Sequence, residues 1–217
     1  MSFSDIKSFA PLLFKGIENT IFLWLAASLI SLCFGAFFGI FRCRRMRMPV
    51  LSPLLDTITF VLRGIPFYVQ LLLVYFVLPN LFNINLSPMV AGVLSLGLCS
   101  AAYTSQMVRA GINTLVDEQW ESALVLGLKK TQTLWYVIMP QTLRGILPTL
   151  CGELDMLLKS TSIISAIGVL ELTRAGQNII ASEMHVVSIY IIIALMYLAI
   201  SSILNVGLSM VERRYAI

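Results

Sequence analysis

WESALVLGLKKTQTLWYVIMPQ, Trp120–Gln141, is the longest segment of this chain that cannot rest in lipid. Lys129 and Lys130 stand at its centre, Glu121 near one end and Pro140 near the other, and long apolar runs flank it on both sides. It nevertheless keeps an apolar stripe. Trp120, Ala123, Leu124 and Leu128 recur at helical spacing, so a helix here presents one apolar face with Glu118, Glu121 and Ser122 on its flanks. Such a helix requires a protein or a headgroup surface to cover it.

Outward from this island the chain reads as an all-α polytopic membrane protein. Of its 217 residues, 58% are hydrophobic and 12% charged, against roughly 25% charged in an ordinary soluble domain. The few charges are bunched between apolar runs rather than spread along amphipathic faces. A net charge of +4 is too small to call for nucleic acid, and no such partner is expected. Cys33, Cys43, Cys99 and Cys151 include no close pair of the kind a zinc or redox motif needs, and they read as small core hydrophobes. The single histidine, His185, is expected in solvent or at headgroups, and no metal site is expected. The start MSFSDIKSFAPLLFKG lacks a short apolar core followed by a small-residue cleavage site, so no removable signal peptide is expected.

Five spans are expected in a single transmembrane domain over 1–217, at about 17–41, 65–82, 89–108, 146–170 and 186–210. Gly35, Ala36 and Gly39 in the first form a small face open to a second helix or to lipid. Four arginines follow it directly, Arg42, Arg44, Arg45 and Arg47, and mark the next loop as cytoplasmic. The amino terminus is then outside. Residues 50–66, with Pro53, Asp56, Arg63, Gly64 and Pro66, belong at the interface or among other helices, and the region of about 109–145 lies in the cytoplasm. ELTRAGQNIIASEMH is an external connection, and the chain ends inside with Glu212, Arg213 and Arg214. Leaving aside Arg63 at the mouth of the second span and Lys159 within the fourth, Lys and Arg fall inside at 42, 44, 45, 47, 109, 129, 130, 144, 213 and 214, and outside only at Lys7, Lys15 and Arg174.

The fourth span carries the ionisable residues Glu153, Asp155 and Lys159. Charges in a spanning helix are costly, so they mark either a pathway or a structural pairing. Asp155 and Lys159 are four residues apart and can neutralise one another, whereas Glu153 points to another face and remains free for a cationic or amino partner. Lys159 lies about 16 Å beyond Pro148 along a helix, near mid-membrane. Ser160, Thr161, Ser162 and Ser165 follow; such hydroxyls either contact a zwitterion or bond their own backbone. No paired hydrolytic carboxylates and no Gly-rich phosphate loop are present, so energy from ATP has to come from another chain.

Glu121, Ser122, Ala123, Gly127 and Pro140 follow the pattern Glu-Ala-Ala, three residues, Gly, nine residues, Ile-x-Leu-Pro. That pattern resembles the loop of importer permeases of the ATP-binding-cassette superfamily. Ser122, Val137 and Met139 are mild departures from it. RGIPFYVQLLLVYFVLP, AAYTSQMVRAGI and ELDMLLKSTSIISAIGVLELTRAGQ extend the resemblance to the polar amino acid uptake permeases, with Gly152, Gln106 and Ser160 where Asn, an acid and Asp are common. The resemblance implies a type I importer fold and a transport subunit that is not an enzyme, sited in the bacterial cytoplasmic (inner) membrane. It implies a cytoplasmic ATPase dimer that holds ATP and Mg and docks at the loop, none of them bound by this chain. A second permease subunit, an amino acid-binding protein that is periplasmic or surface-anchored, and membrane lipid complete the partners. Glu153, Asp155, Lys159, Ser160 and Thr161 are then the candidate substrate contacts, and two carboxylates favour a cationic or amide amino acid over an acidic one. Two rivals stay open on the residues alone: an integral membrane enzyme, or a channel subunit, using Glu153, Asp155 and Lys159. The enzyme turns over without nucleotide. The transporter loses a co-purifying ATPase with Gly127→Asp or Glu121→Lys.

Overall fold

The computed structural model describes residues 3–115 and 117–215, with side chains from Phe9 to Arg214. Met1 and Ser2, on which part of the amino-terminal reading rests, and the side chain of Lys7 lie outside the described residues. The helices are α1 (Phe3–Arg42), α2 (Leu51–Gly64), α3 (Phe67–Phe82), α4 (Pro88–Thr114), α5 (Asp117–Val125), α6 (Lys130–Ile167), α7 (Leu172–Glu183) and α8 (Val186–Tyr215), with no strand among the described residues. An apolar solvent leaves backbone groups no partner but one another, so long apolar runs become helices. Three of them, α1, α4 and α8, are long and apolar enough to cross a membrane alone, and counting each of the bent pairs α2–α3 and α6–α7 as one span gives up to five.

The bends have local causes. Between α2 and α3 the chain turns by 107° at Ile65 and Pro66; proline lacks the N–H a continuing helix needs and pushes Ile65 into an extended conformation, ψ 133°. The far end of α6 tightens into a 3-10 stretch, Thr161–Ile167, and stops at Gly168, whose φ of +83° suits glycine. Glu171 then caps α7, accepting from the Thr173 and Arg174 N–H groups at 2.8 and 2.7 Å and from the Tyr197 hydroxyl at 2.9 Å.

The segment expected as a plain external connection is therefore mostly helical. Leu172, Ala175 and Ile179 of α7 recur on one face and pack with Leu13 of α1 and Ile189 and Ile193 of α8. Its polar residues hide this face from a search for long apolar runs. Helix α6 also starts at Lys130, well before the expected span, so only a short turn separates it from α5.

Helices α1 and α4 form the tightest seam. A Cβ on Gly35 would lie 2.5 Å from Thr104 Cβ, and one on Gly39 would lie 2.6 Å from Val108 Cβ. The small face of α1 is thus a helix contact rather than a lipid surface. Of the cysteines, Cys43, Cys99 and Cys151 are buried as expected, while Cys33 is exposed on α1. Its run of apolar neighbours faces outward in a protein whose outer surface is itself apolar.

Candidate functional site

Helix α5 lies across the end of the bundle where α1 and α4 finish and α6 begins. Its apolar stripe is covered by the chain itself. Trp120 is 2% exposed and packs with Ile40, Cys43, Ile112, Leu134 and Ile138, so the expected need for an outside surface on this face does not arise. The opposite face is bare. Glu118, Glu121 and Ser122 are exposed there, with Val125 at 87% and Leu126 at 82%. Arg45 holds the helix from the α1–α2 connection, donating to Asp117 at 2.9 Å and to Glu121 at 3.3 Å; these bonds, Asp117 first, raise its pKa above the ordinary value.

Gly127 ends this element. It sits at φ +85°, its N–H donates to the Leu124 carbonyl at 3.0 Å, and the Leu128 N–H reaches back to Ala123 at 3.1 Å. That pair of bonds closes a helix over a left-handed glycine. No atom lies within 4 Å of a Cβ built there, so within the chain Gly127 serves the turn and not a close contact. Pro140 acts about three turns into α6. The helix widens over Leu134–Ile138, where the Met139 N–H donates to the Leu134 carbonyl, five residues back. A wide turn before proline relieves the clash of its ring with the carbonyl four residues earlier.

A cleft of about 480 Å³ opens at the break between α2 and α3, walled by α4 and α6. Arg63, Phe67, Ser100, Tyr103, Glu153 and Ser160 line it. Ser100 Oγ donates to Glu153 Oε1 at 2.6 Å, and Ser31 Oγ of α1 donates to Ser100 at 2.9 Å. Glu153 is thereby positioned by a chain of hydroxyls across three helices. Arg63 donates to its own helix at the Thr59 carbonyl, 3.3 Å, and forms no ion pair among the described residues.

Asp155 and Lys159 face elsewhere. Lys159 Nζ meets Asp155 Oδ2 at 2.5 Å, and Asp155 Oδ1 accepts from Ser201 at 2.5 Å and Asn205 at 3.2 Å, so the carboxylate ties α6 to α8. Thr161 is fully buried and donates to the Leu158 carbonyl; Ser160, Ser162 and Ser165 likewise bond backbone within three or four residues. Of the five candidate contacts, Glu153 and Ser160 meet in the cleft, and Asp155, Lys159 and Thr161 lie outside its lining. Asp155 and Lys159 pair with one another away from the cleft that holds Glu153, so the three groups of the membrane-enzyme reading do not share one site.

Sequence reasoning placed Arg63 and Asp56 at the interface or among helices but gave neither a role in a site. Arg63 carries a legible signal: a cation beside an apolar run with no acid three or four residues away. Asp56 receives Arg42 Nε at 2.7 Å, Arg47 Nη2 at 2.8 Å and Arg109 Nη1 at 3.3 Å. Arg42 is 3% exposed and also donates to Ser105 at 2.8 Å. It is a buried tie between α1, α2 and α4, and not the free loop charge its neighbours suggested.

A bundle of whole and broken apolar helices, with a polar cleft at a break and a bare amphipathic helix across one end, defines a polytopic membrane transport subunit. Residues 31–217 match the family model described as binding-protein-dependent transport system inner membrane component, and the chain belongs to that family. It is 34% identical over 210 residues to the glutamine transport system permease protein GlnP of Escherichia coli (strain K12), covering 95% of this chain and 94% of that one. It is 36% identical over 214 residues to the probable amino-acid ABC transporter permease protein YckA of Bacillus subtilis (strain 168), covering 97% and 92%. A crystal structure of an amino acid ABC transporter with histidines superposes with TM-score 0.87 at 32% identity over 99% of both chains. The MetNI methionine ABC transporter, inward facing, superposes with TM-score 0.80 at 16% identity, a likeness of fold alone. The fold is that of a type I ABC importer permease.

Proposed function

We propose that this permease carries a neutral amino acid inward through the Glu153 cleft. One observation carries the reading: the cleft holds a guanidinium and a carboxylate that are not paired with each other. A zwitterion supplies the complement of both, its carboxylate to Arg63 and its ammonium to Glu153. Charge-assisted bonds of this kind are roughly twice as strong as neutral ones, and more so away from water. Once both charges are engaged by the α-groups, no further ion in the lining is left for the side chain. An amide is therefore preferred to a cationic or acidic side chain, in keeping with the glutamine named for the GlnP relative.

The bare face of α5, with Glu121 and Ser122 beside Val125 and Leu126, docks on a cytoplasmic ATPase; Ala123 is its packed side, Gly127 makes its closing turn, and Pro140 follows the widened turn early in α6. Two such ATPases bind ATP and Mg and hydrolyse it, and this chain binds neither and catalyses no reaction. In this reading the amino terminus is outside, the carboxyl terminus inside, and the membrane is the bacterial inner membrane. A second permease subunit supplies the second docking helix, and a periplasmic or surface-anchored binding protein delivers the substrate. Trp120 fixes α5 to the ends of α1, α4 and α6, so a pull on α5 moves them together. From Lys130 to Glu153 the same helix α6 runs about 35 Å, which carries that displacement to the cleft. The bundle then rocks between openings to either side.

The test is uptake of labelled glutamine, arginine and glutamate by the complex reconstituted in liposomes with ATP inside. Glutamine is expected to be taken up best, and Glu153→Gln and Arg63→Gln each to raise KM about tenfold or more. Glutamate as best substrate, or an unchanged KM in both variants, would falsify the assignment.

A further inference from the structure

The break between α2 and α3 deprives two carbonyls of the partners a continuous helix would give them. The Leu62 carbonyl would accept from the N–H four residues on, but that residue is Pro66, which has none. Ile65 is extended, with ψ 133°, so its own carbonyl turns out of the helix. Backbone groups at membrane depth need a partner within the protein. Gln70 supplies both. Its side-chain Nε2 donates to the Leu62 and Ile65 carbonyls at 2.6 Å each, which uses the two protons an amide carries. Gln70 is 6% exposed, and Leu71 beside it is fully buried in one cluster with Leu23, Ala27 and Ala91, so the clamp is anchored in the core of the bundle.

We infer that Gln70 is a positioning residue for Arg63, and through it for the grip on the substrate carboxylate. The inference rests on the reading of the Glu153 cleft given above. Leu62 and Ile65 bracket Arg63 and Gly64, so the clamp fixes the backbone on both sides of the guanidinium's stem. The same segment, Arg63 to Phe67, forms the α2–α3 wall of the cleft, and Gln70 itself does not line it. The Arg63 side chain is tethered by one bond, at 3.3 Å, to the Thr59 carbonyl of its own helix. Where its backbone stands therefore decides where the guanidinium reaches, and a displacement of about 1 Å is enough to lose a charge-assisted bond. Glu153 is held separately, through Ser100 and Ser31, by residues that the clamp does not touch. The two ends of the zwitterion are thus placed by independent devices: hydroxyls for the ammonium, a side-chain amide on backbone carbonyls for the carboxylate.

The test is a pair of double-mutant cycles on KM and kcat for labelled glutamine uptake by the reconstituted complex. Gln70→Met keeps the length of the side chain and removes both donors; it is expected to raise KM about tenfold and leave kcat within about twofold. Added to Arg63→Gln it is expected to raise KM no further, because the group it positions is already gone, whereas over Glu153→Gln its full factor returns. A merely structural loss would act equally in both backgrounds. Where Gln70→Met lowers the yield of complex, Gln70→Asn takes its place; it keeps the amide but shortens its reach, and a rise of about threefold with the same dependence on Arg63 is expected. A wild-type KM in the Gln70 variant or in Arg63→Gln alone, or the same factor over Arg63→Gln as over wild type, overturns the role of Gln70 and leaves the proposed function standing. A wild-type KM in both Arg63→Gln and Glu153→Gln removes both.

Discussion

Glu153 and Asp155 stand two residues apart on α6, and the two sides of that helix treat them differently. On the cleft side Glu153 is held by the single hydroxyl of Ser100, with Arg63 across the same cavity. On the α8 side Asp155 takes bonds from Lys159, Ser201 and Asn205. A carboxylate with three donors shared over both its oxygens has its energy invested in the fold, whereas one with a single partner and open space beside it can exchange ligands. Position along a membrane helix does not distinguish the two roles; the number of donors around each oxygen does.

Several substitutions break or sharpen this contrast. The largest effect is expected from Asp155→Ala, which strands Lys159 and frees Ser201 and Asn205. The loss of stability is expected at about 3 kcal/mol, read as a lower melting temperature in detergent, with the glutamine KM of the folded fraction unchanged. A rise in KM instead would move Asp155 into the substrate path. Ser100→Ala comes next: it removes the one donor positioning Glu153, and KM is expected to rise by about fivefold, the equivalent of roughly 1 kcal/mol. Normal KM in that variant would show that Glu153 is placed by something other than the hydroxyl chain. Gly127→Ala touches neither carboxylate. A non-glycine residue at φ +85° costs about 1–2 kcal/mol locally, so ATPase co-purification and coupled hydrolysis are expected to weaken while substrate binding holds. The smallest effect belongs to Lys159→Met, since a half-exposed ammonium in an i,i+4 pair contributes about 0.5 kcal/mol; a collapse of uptake there would contradict its structural role.

The long apolar runs made the all-helical membrane bundle legible, and the Glu121 to Pro140 spacing made the α5 element legible, because lipid and helix geometry constrain both directly. Asp155 with Lys159 was legible for the same reason, four residues being one turn. The Ser100 bond to Glu153 was not, since it spans 53 residues and depends on how α4 and α6 pack. The Asp56 knot was hidden similarly: four arginines within six residues carry the same topological signal whether they face water or a half-buried aspartate. Helix α7 escaped because its face is amphipathic and short, and the 3-10 end of α6 because serine and threonine runs permit several backbone outcomes.

The most direct test of the division across α6 sets Glu153→Gln and Asp155→Asn side by side in the reconstituted complex, with glutamine KM and detergent melting temperature measured on both. Glu153→Gln is expected to raise KM about tenfold or more and leave the melting temperature within a few degrees of wild type, and Asp155→Asn to do the reverse. Equal losses of both quantities in the two variants, or the opposite assignment, would contradict the account.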